Sequence, residues 1–369
     1  MPSLLFSPIQ IGGITLPNRI AVSPMCQYSA DDGSMNDWHL AHLASMACSG
    51  AGLVMVEATG VTREGRISHG CTGLYNEHNE AAMKRVVDAC RRLTRSPIGL
   101  QLAHSGRKGS AQTPWDGGKA LGPLASPWET VAPSAMAYGE GWHVPHALTE
   151  LELKNLVDSF VAAAKRALSI GFDLIELHAA HGYLLHEFLS PLSNRRSDAY
   201  GTDRMKFPLE VAGALREAWP KERALAARIS GSDWAGGGMA IEETVAFASA
   251  LKAIGFDFVC VSSAAIVPQQ RIKAEPGYNV PFAARVRKDS GIATRVGGMV
   301  VDPLHAESIL QSGAADMISL ARALLDNPRW VWHAAERFGV KLDHPPQYSR
   351  VHPSVWPGAK LARPLGEPA

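Results

Sequence analysis

Cysteine is scarce in this chain, and its spacing argues against the usual structural metal centres. The 369 residues contain five cysteines, and no two of them form a C-x-x-C pair, the spacing typical of zinc and iron–sulfur sites. The first residues lack the basic segment of a signal peptide, and no apolar run approaches the ~18 residues of a membrane span. The formal net charge of +1 offers no basic footprint for nucleic acid. We therefore expect a cytoplasmic protein that binds no metal, membrane or nucleic acid.

The apolar pattern predicts eight short strands that alternate with helices. Most of the strands are near-continuous apolar runs, as is usual for parallel strands covered on both faces. They are predicted at Arg19–Pro24, Gly52–Ala58, Pro97–Leu102, Asp173–Leu177, Ala224–Ser230, Asp257–Ser262, Ala293–Gly297 and Asp316–Leu320. Helices are predicted at Glu80–Leu93, Thr149–Ile170, Arg204–Trp219, Ile241–Ile254, Pro281–Asp289, Asp302–Ser312 and Pro328–Phe338. This alternation predicts an α/β fold, a single (β/α)8 TIM barrel.

An open, doubly wound parallel sheet is the alternative architecture. Such a sheet needs a glycine-rich phosphate loop after its first strand. At that place this chain has Ser23-Pro24-Met25-Cys26-Gln27-Tyr28, which contains no glycine. The sequence therefore favours the closed barrel.

Three segments fall outside the predicted barrel. Leu5–Pro17, with Gly12-Gly13 at its turn, predicts an N-terminal β-hairpin that closes the bottom of the barrel. The long Ala103–Ala147 segment, rich in glycine, proline and tryptophan, predicts a flap after the third strand. His344–Ala369 is rich in proline and predicts an extended C-terminal tail. We expect residues 1–343 to form the barrel domain and residues 344–369 a separate extension.

A run of two histidines and a tyrosine follows the fourth predicted strand. TIM barrels carry their chemistry at this end of the strands, and here the chain has His178-Ala179-Ala180-His181-Gly182-Tyr183. As a metal site, the two histidines would need a third ligand. As neutral donors they could hold a carbonyl oxygen, with Tyr183 as the proton donor. The plain alternative is a pair of ordinary histidines at the start of a helix.

Other polar residues are predicted at the same end of the barrel. Cys26 and Tyr28 follow the first strand, although a lone cysteine is most often a small buried apolar residue. Gln101 and Arg228 lie within strands, where a polar group needs a partner. For Arg228 that partner is either a bound anionic cofactor or an internal salt bridge.

The seventh and eighth predicted strands are followed by residues suited to phosphate. Gly297-Gly298 comes after the seventh strand and Ala321-Arg322 after the eighth, which is where TIM barrels commonly bind phosphate. Glycine lets backbone N–H groups approach closely, and arginine adds a bidentate contact.

Taken together, these motifs resemble the Old Yellow Enzyme family of FMN-dependent ene-reductases. The similarity runs from Leu5 to about Arg350 and is greatest to the shorter YqjM-like, or thermophilic-like, branch. The first-strand sequence through Met25-Cys26 and the His178–Tyr183 run carry it in combination. The yeast-type branch has asparagine where this chain has His181, which indicates the shorter branch.

The resemblance implies a function and a set of site residues. NADPH or NADH would reduce non-covalently bound FMN, and a hydride would then pass to the β-carbon of α,β-unsaturated carbonyl or nitro compounds such as enones, enals and maleimides. The residues implied for the cofactor are Ser23, Pro24, Met25, Cys26, Gly60, Gln101, His178, Arg228, Gly297, Gly298, Ala321 and Arg322. Those implied for substrate are Tyr28, His178, His181, Tyr183 and Arg350.

Catalytic roles and assembly are implied in the same way. His178 and His181 would hold the activating oxygen of the substrate, and Tyr183 would deliver the proton. Arg350 would reach the site of a neighbouring subunit, in a homodimer or in a tetramer built from such dimers. Two other interpretations stay open: a dienoyl-CoA reductase, which would require a cysteine cluster and a second domain, and a barrel that binds flavin without catalysis.

Overall fold

Parallel strands form the centre of the molecule. The computed structural model describes residues 2–362. In chain order its strands are β1 (Ile9–Ile11), β2 (Ile14–Leu16), β3 (Ile20–Val22), β4 (Leu53–Gly60), β5 (Ile98–Ala103), β6 (Val131–Ala132), β7 (His146–Ala147), β8 (Leu174–Ala179), β9 (Ala224–Ser230), β10 (Phe258–Ser262), β11 (Ala293–Val296) and β12 (Met317–Leu320). Eight of them, β3 to β5 and β8 to β12, pair in parallel and close into a barrel through the β12–β3 pair. The predicted TIM barrel is confirmed, and the open sheet is excluded.

Helices flank the barrel strands. In chain order they are α1 (Asp37–Ala47), α2 (Glu77–Arg91), α3 (Glu150–Ile170), α4 (Leu184–Leu189), α5 (Ala199–Thr202), α6 (Lys206–Ala218), α7 (Ile241–Ile254), α8 (Val280–Ser290), α9 (Pro303–Gln311), α10 (Arg322–Asp326), α11 (Trp330–Arg337) and α12 (Ala359–Ala362). The sequence pattern predicts seven of these and misses α1, α4, α5, α10 and α12. Within residues 2–362, no helix combines the length and the apolar character needed to cross a membrane.

Helix α1 shows why a regular helix can escape prediction. Asn36 caps its first turn, and the ring of His39 accepts the Asn36 backbone N–H, so a histidine stands where a capping box usually has Glu or Gln. The buried face of α1 includes Leu43 and Met46, but the exposed Trp38 blurs the contrast between its two faces.

The predicted N-terminal hairpin and the predicted flap, which both precede α3, are present in the structure. β1 and β2 form the predicted antiparallel hairpin, and Ile11 and Leu16 pack there with Phe258 and Met317 of the barrel strands. The predicted flap consists largely of turns. Its regular elements are three short 3₁₀ helices and the small parallel pair of β6 and β7.

The C-terminal segment differs from the extended tail that its prolines predict. A 3₁₀ helix spans Pro346–Val351, and α12 follows it. The rings of His344 and Tyr348 lie 4.3 and 5.7 Å from that of Trp332 in α11. Aromatic packing therefore folds the tail back onto its own chain. The last seven residues of the predicted tail, 363–369, lie outside the described residues.

A charged cluster lies inside the barrel, below its mouth. Glu176 of β8 and Arg295 of β11 are both fully buried and form an ion pair. Gln101 of β5 donates its amide N–H to the other Glu176 oxygen at 2.8 Å. Each partner thus compensates the cost of burying the other, as buried polar groups require.

We expect that replacing Arg295 with Met will destabilise the barrel strongly. The change leaves the Glu176 carboxylate buried with a single amide partner, and breaking a buried pair on one side typically costs about 3–5 kcal/mol. Chemical unfolding followed by circular dichroism measures the loss. The matched control is the double variant Arg295→Met/Glu176→Gln, which removes both charges and should recover most of the stability. A single variant as stable as the parent would contradict this account.

Candidate active site

A cavity of about 390 Å³ opens where the barrel strands end. It lies beside the carboxyl ends of β10, β11 and β12 and the start of the loop after β3. Its walls include six residues singled out from the sequence: Ser23, Arg228, Gly297, Gly298, Ala321 and Arg322. Residues separated by up to 300 positions in the chain therefore line a single space.

The two glycines after β11 could not be replaced by larger residues without movement. A Cβ atom on Gly297 would lie 2.7 Å from the Ser319 carbonyl oxygen. Gly298 has φ +122°, a conformation that favours glycine. Asn279, which the sequence did not single out, donates to the Gly297 carbonyl at 3.1 Å and accepts the Ser263 hydroxyl at 2.7 Å. This network holds the glycine loop against the cavity.

Arg228 projects from β9 to the cavity without an internal counter-charge. Within residues 2–362 its guanidinium forms no ion pair, and its buried Nε has no hydrogen-bond partner. The internal salt bridge considered for it forms instead between Arg295 and Glu176. An unpaired guanidinium of this kind favours an anionic or electron-rich group in the cavity.

The His178–Tyr183 run forms a tight turn at the mouth of the barrel. The His178 ring lies 5.2 Å from the His181 ring and 5.0 Å from the Tyr183 ring, edge to face in both cases. His181 has φ +60° and Gly182 has φ +70°, so two consecutive residues are left-handed. Through this turn the chain leaves β8 and enters α4 with all three side chains close together.

Burial determines the protonation states of His178, His181 and Tyr183. It lowers the pKa of His178 and of His181 well below the ordinary value, and the nearby Arg228 cation lowers both further. Burial likewise raises the pKa of Tyr183 well above its ordinary value. Near neutral pH the site therefore offers two neutral imidazoles and a protonated phenol.

A metal site at His178 and His181 would need a third ligand from the protein. Among residues 2–362, no group of three or more His, Cys, Asp or Glu side chains is arranged to hold a metal ion. The His181 Nε2 atom instead lies 2.7 Å from the Ser262 hydroxyl, and His178 Nδ1 accepts the Ala180 N–H at 3.3 Å. Each imidazole is thus engaged as a hydrogen-bonding group.

A buried carboxylate fixes the loop after β3. Glu57 of β4 accepts the Gln27 N–H at 3.0 Å and lies 3.4 Å from the His39 ring nitrogen. In the same loop, burial raises the pKa of Cys26 well above its ordinary value, which keeps the residue a thiol. Tyr28 presents its ring to Trp115 of the flap, 5.8 Å away.

The other predicted residues of this region differ in their surroundings. Pro24 and Met25 are half-buried, and Met25 packs against the barrel core. Gly60, at the end of β4, lines a small cleft together with Tyr183.

Arg350 is the predicted site residue that the structure does not bring to the barrel mouth. It lies exposed on the 3₁₀ helix that packs on α11, and no contact within residues 2–362 joins it to the mouth.

Lys108 belongs to this region and was not singled out from the sequence. Its ammonium donates to the carbonyl oxygens of His181 at 2.8 Å and Ala265 at 3.1 Å. It also lies 4.9 Å from the centre of the Tyr183 ring. Burial lowers the pKa of Lys108 to about 8. A lysine shortly after a buried strand was the available signal, but its targets are backbone atoms that a sequence pattern cannot indicate.

Comparison with known proteins identifies the family. Residues 4–339 match the model of the NADH:flavin oxidoreductase / NADH oxidase family. This chain belongs to that family. It is 42% identical to an NADPH dehydrogenase of Geobacillus thermodenitrificans over 355 residues, which cover 95% of this chain and 99% of the relative.

Solved structures agree with this assignment. Morphinone reductase in complex with tetrahydroNAD has a TM-score of 0.74 and 26% identity, with 93% of each chain covered. The old yellow enzyme homologue from Zymomonas mobilis has a TM-score of 0.75 and 26% identity, covering 93% of this chain and 94% of that one. The resemblance to the Old Yellow Enzyme family is thereby confirmed. The protein is an oxidoreductase that uses FMN and a nicotinamide hydride donor.

The residues at the barrel mouth fit FMN. The cavity combines an unpaired buried guanidinium nitrogen on Arg228 with a glycine loop whose backbone can approach a ligand closely. Arg322 lines the same cavity and offers the planar fork that suits a phosphate.

We expect Gly182→Ala to disrupt the turn at the mouth. The added Cβ would lie 2.0 Å from the Ala265 carbonyl oxygen, and the left-handed backbone alone costs about 1–3 kcal/mol for a residue other than glycine. The matched control is Gly339→Ala, because Gly339 has φ +64° but nothing within 4 Å of its Cβ position. Thermal unfolding of both variants should show the greater loss for Gly182→Ala. Equal losses would mean that the contact with Ala265 does not matter.

Proposed function

We propose that this oxidoreductase is an ene-reductase, which reduces the activated carbon–carbon double bond of α,β-unsaturated carbonyl or nitro compounds. The observation that carries the proposal is the close grouping of His178, His181 and Tyr183 at the barrel mouth, with both imidazoles neutral. His181 contacts Ser262, which lines the cavity. Bound FMN supplies the hydride chemistry between NADPH or NADH and the substrate. The residues of the chain position the substrate and supply the proton.

His178 and His181 are proposed to hold the activating oxygen of an enone, enal, maleimide or nitro compound. Negative charge develops on this oxygen as the double bond is reduced, and fixed N–H donors stabilise it as an oxyanion hole does. Neutral imidazoles can donate from one ring nitrogen while the other accepts. His178 Nδ1 already accepts the Ala180 N–H, which leaves the proton on Nε2.

Tyr183 is proposed as the general acid that protonates the α-carbon. Its phenol keeps its proton at neutral pH because burial raises its pKa, and a group at the substrate can deliver a proton only while it holds one. Its ring packs on His178, so the donor and the oxygen-binding group are fixed relative to each other.

The cofactor and substrate residues are proposed from the same geometry. Gly297, Gly298, Ala321 and Arg322 would hold the FMN phosphate, and Arg228 would face the electron-rich edge of the flavin ring. The remaining residues proposed to contact the cofactor are Ser23, Pro24, Met25, Cys26, Gly60, Gln101 and His178. Tyr28 would complete the substrate pocket beneath Trp115 of the flap.

The five free thiols suit a reducing, cytoplasmic compartment.

Rates of the two half-reactions test the proposal. The FMN-loaded enzyme, after reduction by NADPH, should be reoxidised rapidly by cyclic enones, maleimides or nitroalkenes. His178→Ala/His181→Ala should slow that step by about 10²–10³-fold, because charge-stabilising donors are lost. The rate of flavin reduction by NADPH should fall less, because hydride donation from NADPH requires no hydrogen bond to a substrate carbonyl.

Tyr183→Phe and a saturated ketone serve as controls for this experiment. Tyr183→Phe should slow product formation while leaving binding of a phenol to the oxidised enzyme nearly intact. The saturated ketone should not reoxidise the flavin at all. A parent enzyme that accepts electrons from NADPH but passes them to none of the activated alkenes would refute ene-reduction.

We further propose a homodimer, or a tetramer built from such dimers, in which Arg350 completes the partner's substrate site. Residues 344–369 would then be an extension that contacts the neighbouring subunit, appended to a barrel domain of residues 1–343. Tyr348 anchors this segment, since Arg329 lies 4.5 Å from the centre of its ring. The anchoring of Tyr348 and the exposure of Arg350 support this proposal, because an exposed arginine on a held segment can reach a neighbouring chain at low entropy cost.

Mixing two impaired variants tests this sharing. Arg350→Ala and Tyr183→Phe chains should each be impaired, whereas mixed dimers should recover activity because one of their two sites carries neither defect. Light scattering gives the assembly state. A fully active monomer would rule the proposal out.

A further inference from the structure

We propose that His186, held by Asp233, is a positioning residue that sets the geometry of the His181-Gly182-Tyr183 turn. This inference rests on the proposed function of that turn. His186 lies in α4, three residues after Tyr183, and neither it nor Asp233 takes part in the chemistry proposed above.

Its hydrogen bonds link the turn to a buried carboxylate. The Gly182 N–H donates to His186 Nδ1 at 2.8 Å, and His186 Nε2 lies 2.9 Å from Asp233 Oδ1. The exposed fractions of His186 and Asp233 are 0% and 1%. The backbone amide between the two site residues is therefore tied to the protein interior through one imidazole.

Asp233 determines which nitrogen of His186 carries the proton. Its second oxygen accepts the Ser190 hydroxyl at 2.7 Å and the Met239 N–H at 2.8 Å, which fixes the carboxylate from two sides. A proton on His186 Nε2 faces Asp233 Oδ1, and the Nδ1 lone pair is then left for the Gly182 amide. The carboxylate thus keeps the imidazole in the one tautomer that can accept from the turn.

The turn needs this support because its backbone is unusual. His181 and Gly182 are both left-handed, and isolated segments rarely hold such a conformation. Lys108 holds the turn from the opposite side through the His181 carbonyl. One carbonyl of the turn is therefore bound by the half-buried Lys108 and one amide by the buried His186. Loss of the His186 contact would leave the Gly182 N–H without this acceptor and free the rings of His181 and Tyr183 to shift.

Two substitutions separate positioning from a merely structural role. In His186→Asn, the amide oxygen can occupy the place of Nδ1 and accept the Gly182 N–H, but the side chain no longer reaches Asp233. In His186→Gln, the longer side chain can reach Asp233 but offers nothing at the place of Nδ1. His186→Leu removes both contacts. The Asn and Gln variants form the matched pair, so the comparison stands even if the Leu variant fails to fold.

The experiment uses the full-length, FMN-loaded enzyme and measures each half-reaction separately. We expect His186→Gln to slow flavin reoxidation by 2-cyclohexenone by about 10- to 100-fold, the size of effect that a misplaced catalytic group causes. His186→Asn should stay within about threefold of the parent, because it keeps the contact that orients the turn. Flavin reduction by NADPH should change less than reoxidation in the Gln variant. The reverse order, with Gln like the parent and Asn impaired, would overturn the inference, as would equal losses in both half-reactions.

Phenol binding to the oxidised enzyme distinguishes failure of this inference from failure of the proposed function. A titration with a phenol, followed by the absorbance of the bound FMN, reports the geometry of the His178 and His181 pair without any turnover. If the parent does not reduce 2-cyclohexenone, the proposed function fails, yet weaker phenol binding in His186→Gln than in His186→Asn still supports positioning. Equal phenol affinity in all variants overturns it.

Discussion

The pairing of β3 with β12 closes the barrel, and the candidate site depends on that closure. Ser23, which directly follows β3, donates its N–H to the Leu320 carbonyl at 2.8 Å, and its hydroxyl lies 2.7 Å from that of Ser319. These contacts bring the loop that contains Cys26 beside the cavity lined by Gly297 and Arg322. A closed sheet has no free edge, so the polar groups that follow its strands converge on a single mouth rather than spreading along an open sheet.

Two arginines inside the same barrel show how the fold separates stability from chemistry. Arg295 lies deep in the barrel and is neutralised by Glu176, so it belongs to the packed interior. Arg228, nearer the mouth, has no such partner among the described residues and lines the cavity. The two cations differ because of what surrounds them: Glu176 lies beside Arg295, whereas the cavity lies beside Arg228.

The sequence predicts the strands and most helices because burial against a core gives each of them a characteristic spacing of apolar residues. It also predicts the residues at strand ends, since a TIM barrel restricts where chemistry can lie. Lys108 and Glu57 escape it because each acts on a backbone atom of another segment, and neither spacing nor composition encodes such a contact. His186 acts on the nearby Gly182 amide, but the Asp233 carboxylate that orients it comes from a distant part of the chain. For the C-terminal tail, the sequence predicts an extended segment where the structure has short helices. A high proline content does not indicate that His344 and Tyr348 pack on Trp332.

Trp115, in the exposed part of the flap, contacts Tyr28 of the mouth through their aromatic rings. Trp115 is 67% exposed and lies on a segment of turns, whereas Lys108, at the start of the flap, and His186 hold the His178–Tyr183 turn. Substitutions in the exposed part of the flap around Trp115, away from Lys108, can therefore alter which molecules reach the mouth without removing the contacts that hold this turn. For a protein engineer, the exposed part of the flap around Trp115, rather than its start at Lys108, is the part of the chain to diversify.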